Sequence, residues 1–269
     1  MRRFSFIAPF LFAALVLPFT ATAQDSIFDI PEAEQLTFAG IGVAAVSRET
    51  YVGSSESEIS VLPYINAQYK GRFFANAALG AGAYAIRNKN FRLGGSVHYS
   101  LGRDGVDTPL NSDAFDVDGG FSANLSSRLY TPVAAIDVVG SVPLSGDLDG
   151  FRVDTLVTTQ FFLFDKALQI TPGVRATYHS DGYLDSLYGI TDAQLARSTL
   201  PANSDITALG FKSEVSTLGA HAAAYYDLSH DLQLIGIVNY SRLIGDVRDT
   251  PLAPKKNGLT AAVAIARTF

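Results

Sequence analysis

Four histidines, His98, His179, His221 and His230, are the residues whose chemistry most invites a catalytic reading. An imidazole within reach of a serine hydroxyl is the core of a nucleophilic hydrolase. The chain has no G-x-S-x-G elbow, and no spacing forces a serine beside any of the four. His98 and His179 alternate with apolar neighbours, His221 is ambiguous, and His230 falls in a turn-like stretch. They read as ordinary polar histidines, and the chain as non-enzymatic.

Two further sets of ionisable residues carry possible chemistry. Asp104, Asp107, Asp113, Asp116 and Asp118 gather carboxylates as a calcium loop would, but the D-x-[DN]-x-[DN]-G run with its distal Glu is missing, so a solvated acidic loop is expected. Arg92, Arg128, Arg152 and Arg175 form a basic ladder set against Asp116, Asp137 and Asp154. Such a ladder could select small solutes in a pore, or its charges could pair and fill a narrow lumen. With no cysteine, thiolate metal sites, disulfides and thiol nucleophiles are all excluded. No cofactor is expected.

The elements that would position these residues are strands. From Phe91 to Leu101 every second residue is apolar or glycine, while Arg92, Gly94, Ser96, His98 and Ser100 lie between. Leu168, Ile170, Pro172, Val174, Ala176 and Tyr178 alternate in the same way with Gln169, Thr171, Gly173, Arg175, Thr177 and His179. Phe115, Val117, Phe121, Ala123 and Leu125 are expected to share a face opposite Asp116, Asp118, Ser122, Asn124 and Arg128.

Twelve segments follow this dyad: 36–46, 58–69, 72–79, 82–87, 91–101, 115–128, 131–143, 150–164, 167–179, 213–227, 231–243 and 258–269. A tight turn at Gly80-Ala81-Gly82 is expected to separate the third from the fourth, on the evidence of a phase slip between Phe73-Ala75-Ala77-Leu79 and Tyr84-Ile86. A bulge in one long strand would explain the same slip. Ten strands, with residues 24–57 outside, is the alternative count.

Segments of roughly 9 to 11 residues, short turns alternating with longer loops, and a polar face too charged for a soluble core predict an all-β transmembrane barrel, antiparallel and up-and-down. Its inward face would carry Arg92, His98, Asp116, Asp118, Arg128, Asp137, Arg152, Asp154, Arg175 and His179. The apolar face would meet outer-membrane lipid and lipopolysaccharide. Met1-Arg2-Arg3, an apolar run to Leu17 and Ala21-Thr22-Ala23 read as a signal peptide over 1–23, cleaved between Ala23 and Gln24. An acidic periplasmic leader over 24–35 and the barrel over 36–269 complete the expected organisation. Net charge is -6, with no basic cluster beyond Lys255-Lys256, which argues against nucleic acid as a partner. Phe269 closes the last strand on the parity of Leu259, Val263 and Ile265, and resembles the assembly signal of bacterial outer-membrane barrels.

Several motifs in order resemble the MltA-interacting protein/OmpV family of outer-membrane proteins. They are Tyr51-Val52-Gly53-Ser54, Leu62-Pro63-Tyr64, Tyr69-Lys70-Gly71-Arg72-Phe73-Phe74, Gly102-Arg103-Asp104, the long-loop pieces Tyr188-Gly189-Ile190-Thr191, Ala193-Gln194, Ala196-Arg197-Ser198 and Leu200-Pro201, and Tyr240-Ser241-Arg242-Leu243-Ile244-Gly245-Asp246. The terminal Arg267-Thr268-Phe269 departs from the family's Tyr-x-Phe.

The resemblance implies a non-enzymatic barrel acting as a scaffold that brings a lytic transglycosylase and a penicillin-binding protein together for murein synthesis. Two other roles are a narrow channel for small solutes and an adhesin acting through loop 180–212. Tyr188, Gly189, Gln194 and Arg197 are that loop's candidates for recognition.

Overall fold

The computed structural model describes residues 37–100, 102, 110, 113–165, 167–198 and 206–269. The expected signal peptide, its Ala23/Gln24 cleavage point and the leader lie outside these residues, as do Asp104 and Asp107.

The described residues form thirteen strands: β1 Phe38–Glu49, β2 Ser57–Tyr69, β3 Phe73–Asn76, β4 Gly80–Arg87, β5 Phe91–Ser100, β6 Gly120–Tyr130, β7 Ala135–Pro143, β8 Arg152–Thr158, β9 Phe161–Leu163, β10 Leu168–His179, β11 Glu214–Asp227, β12 Leu232–Leu243 and β13 Asn257–Thr268. All pair antiparallel, and β13 returns to β1 with Gly40 opposite Thr268, closing the sheet into a barrel. Both β8 and β9 lie along β10, so they are two pieces of one stave and the wall has twelve. The ten-strand alternative fails, since β1 pairs with β2 on one side and β13 on the other.

Closure satisfies the backbone within the sheet except along β2 beyond its pairing with β3, and the dyad sends alternate side chains to opposite environments. On β5 and β6, Val97, Tyr99, Phe121 and Leu125 are exposed on the outside, whereas Ser96, Ser122, Asn124 and Ser126 are buried. On β13, Leu259, Val263 and Ile265 face out while Ala264 and Ala266 pack inside against Ala44 and Ile235. Among the described residues, no helix is long and apolar enough to cross a membrane. At one rim lie the turns 70–72, 88–90, 131–134, 164–165 with 167, and 228–231; at the other rim lie the longer loops L1 (50–56), L3 (described at 102, 110 and 113–119), L4 (144–151), L5 (described at 180–198 and 206–213) and L6 (244–256).

Three details depart from the sequence reading. Strand β6 begins at Gly120, and Phe115 and Val117 are buried in the loop layer ahead of it, not on the lipid face with Phe121. The β3–β4 turn occupies 77–79 and Gly80 follows it with φ 77°, a left-handed conformation that glycine adopts without strain. Finally, turn and bulge both occur: the β4–β5 register shifts between Tyr84 and Ile86, so Tyr84 packs inside on Phe74 while Ile86 is exposed.

Candidate functional site

The lumen wall from β4 to β11 carries the charge. Arg128 lies directly opposite Asp137 in the β6–β7 ladder, and its guanidinium makes a two-pronged pair with the carboxylate, Nε to Oδ1 at 2.6 Å and Nη2 to Oδ2 at 2.8 Å. Asp154 on β8 is shared: Arg175 Nη2 donates at 2.5 Å, Thr177 Oγ1 donates at 2.8 Å, and Arg152 stands at 3.3 Å. Such sharing satisfies several carboxylate lone pairs at once. Arg92, opposite Arg128, lies against the Tyr130 and Tyr84 rings at 5.1 and 6.0 Å, and its Nε has no hydrogen-bond partner. Positive charge thus exceeds negative among the described lumen side chains of this wall.

The structure brings His179 and Ser216 together, Nδ1 to Oγ at 2.5 Å, a meeting that no spacing foretold. Ser216 has 0% exposure and His179 stacks on Tyr183 at 4.8 Å, so the pair is sealed against a substrate and pins β10 to β11. His98 lies on β5 opposite Ser122 of β6. His221 meets Asn239 across β11 and β12 at 2.7 Å, and His230 is exposed in a turn. Asp116 and Asp118 sit before β6, exposed in L3 and not on the lumen wall, because the strand starts two residues beyond Asp118.

Above the charged wall, the loops lock together. Helix α1 (Asp181–Tyr188) is capped by Ser180, and α2 (Asp192–Arg197) by a reciprocal box between Thr191 and Gln194. Leu184, Tyr188 and Phe211 of L5 pack with Val247 and Ala253 of L6, supported by Tyr51 and Val52 of L1. A second cluster joins Leu110 and Phe115 of L3 to Ile190 of L5 and Leu252 of L6.

Polar bonds fix the same layer: Tyr188 hydroxyl donates to Val52 carbonyl at 3.0 Å, and Thr250 hydroxyl to Tyr188 carbonyl at 2.9 Å. Glu214 accepts from the amides of Asp246 and Val247, and Asp185 from that of Phe211. Tyr188 and Gly189 are therefore buried supports of the layer. Gln194 is half-buried in its capping box, and Arg197 is exposed with its Nε on Ala193 carbonyl. Glu214, Asp185 and Thr250 were missed by sequence reasoning, since their roles depend on loops distant in the chain.

A family model described as MltA-interacting protein MipA matches residues 41–269, the barrel and its loops. The chain belongs to that family. It is 24% identical over 226 residues to the MltA-interacting protein of Escherichia coli (strain K12), covering 81% of this chain and 83% of that one. It is also 24% identical over 266 residues to YiaT of Escherichia coli O157:H7, which is named as an outer-membrane protein, covering 96% and 97%. Among solved structures, the NanC porin aligns over 84% of this chain and 98% of its own, with 9% identity and a TM-score of 0.44. The COG4313 outer membrane channel from Pseudomonas putida F1 aligns over 90% and 100%, with 10% identity and a TM-score of 0.43. The protein is an outer-membrane β-barrel.

Proposed function

We propose that this barrel is a membrane anchor that meets a murein-processing enzyme at its periplasmic rim. The observation that carries the reading is the interlocking of L1, L3, L5 and L6 around Tyr188 and Leu252. Residues committed to each other in that layer are not offered to a partner outside the cell. The periplasmic turns are short, with exposed Lys70, Arg72 and Asn88-Lys89-Asn90. A relative named for interaction with MltA supports the same side, because a lytic transglycosylase acts on murein in the periplasm. A penicillin-binding protein would join through the same rim or through the acidic 24–35 leader.

The test is crosslinking in intact cells from photoreactive residues in place of Lys89 and in the leader. Recovery of a lytic transglycosylase is the expected result, and a rim that captures no murein enzyme would contradict the proposal.

A second reading, conduction of small anions, is favoured by the facing Arg92 and Arg128 with their excess positive charge. Planar-bilayer conductance decides it: anion selectivity reversed by Arg175→Glu would support a channel, and an electrically silent barrel ends that reading.

A further inference from the structure

The wall is not of even height. β2 runs from Ser57 to Tyr69, yet β3 pairs with only its periplasmic end, from Tyr69↔Phe73 to Asn66↔Asn76. Above Asn66, no described strand lies on the side of β2 away from β1. On the far side of the hairpin, β4 accompanies β5 no higher than Val97. Two staves are therefore missing from the extracellular half of the wall between β2 and β5, a width of about 10 Å at ~4.8 Å per stave.

The hairpin is held short, not frayed. Asn76 Oδ1 accepts from the amides of Ala78 and Leu79 at 3.0 and 2.8 Å, and Asn124 Nδ2 donates to Leu79 carbonyl at 3.4 Å. Those contacts tie the tip to β6 across the lumen side of the hairpin.

Backbone phase on β2 suits an open edge. Ala39 and Phe269 exchange both of their hydrogen bonds, so odd residues of β1 bond to β13 and even ones to β2. In the β1–β2 register even residues of β2 take those bonds, which turns the amide and carbonyl groups of Ile59, Val61 and Pro63 toward the gap. Proline offers no N–H there, as expected of a free edge. Its side chains are equally exposed: Ile59 79%, Val61 71%, and Leu62, which points inward, 47%.

Inside, an apolar row leads away from this edge. Leu62 lies opposite Ala44, Ala44 opposite Ala264, and Ala264 opposite Ile235, all on the lumen face. The arginine-bearing wall of β5 to β10 stands across from that row. A two-sided lumen of this kind, reached through the outer-leaflet half of the wall and covered above by the loop layer, fits one occupant class: a membrane amphiphile.

We infer that the notch above the β3–β4 hairpin is a lateral portal that admits the hydrocarbon chain of an outer-leaflet amphiphile along the Leu62–Ala44–Ala264 row. A peptide strand fits less well, because one strand would leave a stave unfilled and Pro63 would deny it a donor. This inference is independent of the periplasmic reading.

The chain has no cysteine of its own, so single-cysteine variants of the full barrel test the portal. Leu62→Cys, Val61→Cys and Val139→Cys, each carrying a small fluorophore, are reconstituted in phosphatidylglycerol vesicles whose acyl chains bear a mid-chain nitroxide. Val61 reports the outer face, and Val139 an inward position between β6 and β8, on the charged wall away from the Leu62–Ala44–Ala264 row. Quenching at Leu62 is expected within about two-fold of Val61 and about five-fold above Val139, because a lipid chain cannot cross a closed ladder. A β3–β4 hairpin lengthened to pair with β2 up to Ile59 is expected to lower Leu62 to the level of Val139. Quenching at Leu62 already as weak as at Val139 overturns the inference. So does a second copy crosslinked through Val61→Cys that shields Leu62 from the lipid.

Discussion

Arg92 on β5 and Arg128 on β6 face each other directly in the ladder, and the carboxylate that reaches this pair is Asp137 of β7, bonded to Arg128. Like charges opposite one another in a sheet are unfavourable, so Asp137 and the Tyr130 ring, 5.1 Å from Arg92 and 5.6 Å from Arg128, must offset the repulsion. Asp137→Asn is expected to lower barrel stability by about 1–3 kcal/mol, the cost of leaving a partly shielded arginine unpaired. Urea unfolding in lipid micelles measures this, and Arg92→Gln in the same background should recover part of the loss. No recovery would mean that the two arginines do not repel.

Tyr188 joins L5 to L1 and L6 through both its hydroxyl and its carbonyl. Tyr188→Phe removes one hydrogen bond and is expected to cost about 1 kcal/mol. Tyr188→Ala also empties part of the buried cluster and costs about 3–5 kcal/mol of local stability. Tryptic cleavage after Arg197 and Lys212 should accelerate strongly in the alanine variant alone, while the heat-modifiable barrel band stays intact. Equal cleavage in both would assign the lock elsewhere.

At the other rim, Asp231 accepts from the Ser229 hydroxyl at 3.1 Å and from Arg267 Nε at 2.7 Å, and these contacts hold its carboxyl below the usual carboxylate range. Because the folded-state value is lowered, the contact stabilises above the ordinary carboxylate range and is lost as pH falls through the folded value. Thr268 amide donates to Asp231 carbonyl at 2.8 Å and reports on this corner. Its hydrogen-exchange protection should fall on acidification in the wild type and be pH-independent in Asp231→Asn. A pH-dependent loss that persists in Asp231→Asn would assign it to another group.

Much of the architecture was legible because a barrel repeats one local rule. The dyad at Phe91–Leu101 places Val97 and Tyr99 outside and Ser96 inside wherever β5 begins, since side-chain direction depends only on parity. The rule failed where parity is broken locally. A bulge carries Tyr84 inward, and Phe115 and Val117 keep the strand's spelling while folding into a loop core. The burial of two loop candidates was hidden for a related reason. Tyr188 and Gly189 stand out in the sequence, but the partners that bury them, Val52 and Thr250, lie far along the chain. The unequal height of the β3–β4 hairpin was equally hidden, because its length shows only against the register of β2.

Phe269 is exposed at the end of the last stave, beside Ala39. We propose that Phe269 serves as an assembly signal used before folding is complete; Phe269→Ala is then expected to reduce the rate of insertion several-fold and to leave the stability of the assembled barrel within about 0.5 kcal/mol of wild type. Pulse-chase assembly and micelle unfolding separate the two. A shifted midpoint with normal insertion would make Phe269 a packing residue instead.

The central claim is that this barrel presents its recognition surface to the periplasm. Photocrosslinking in living cells from two matched positions, Lys89 in a periplasmic turn and Arg197 in L5, tests it most directly, since both side chains are exposed and lie at opposite rims. The account predicts a lytic transglycosylase captured from Lys89 and not from Arg197. Capture of that enzyme from neither position, together with a specific partner captured from Arg197, would contradict it.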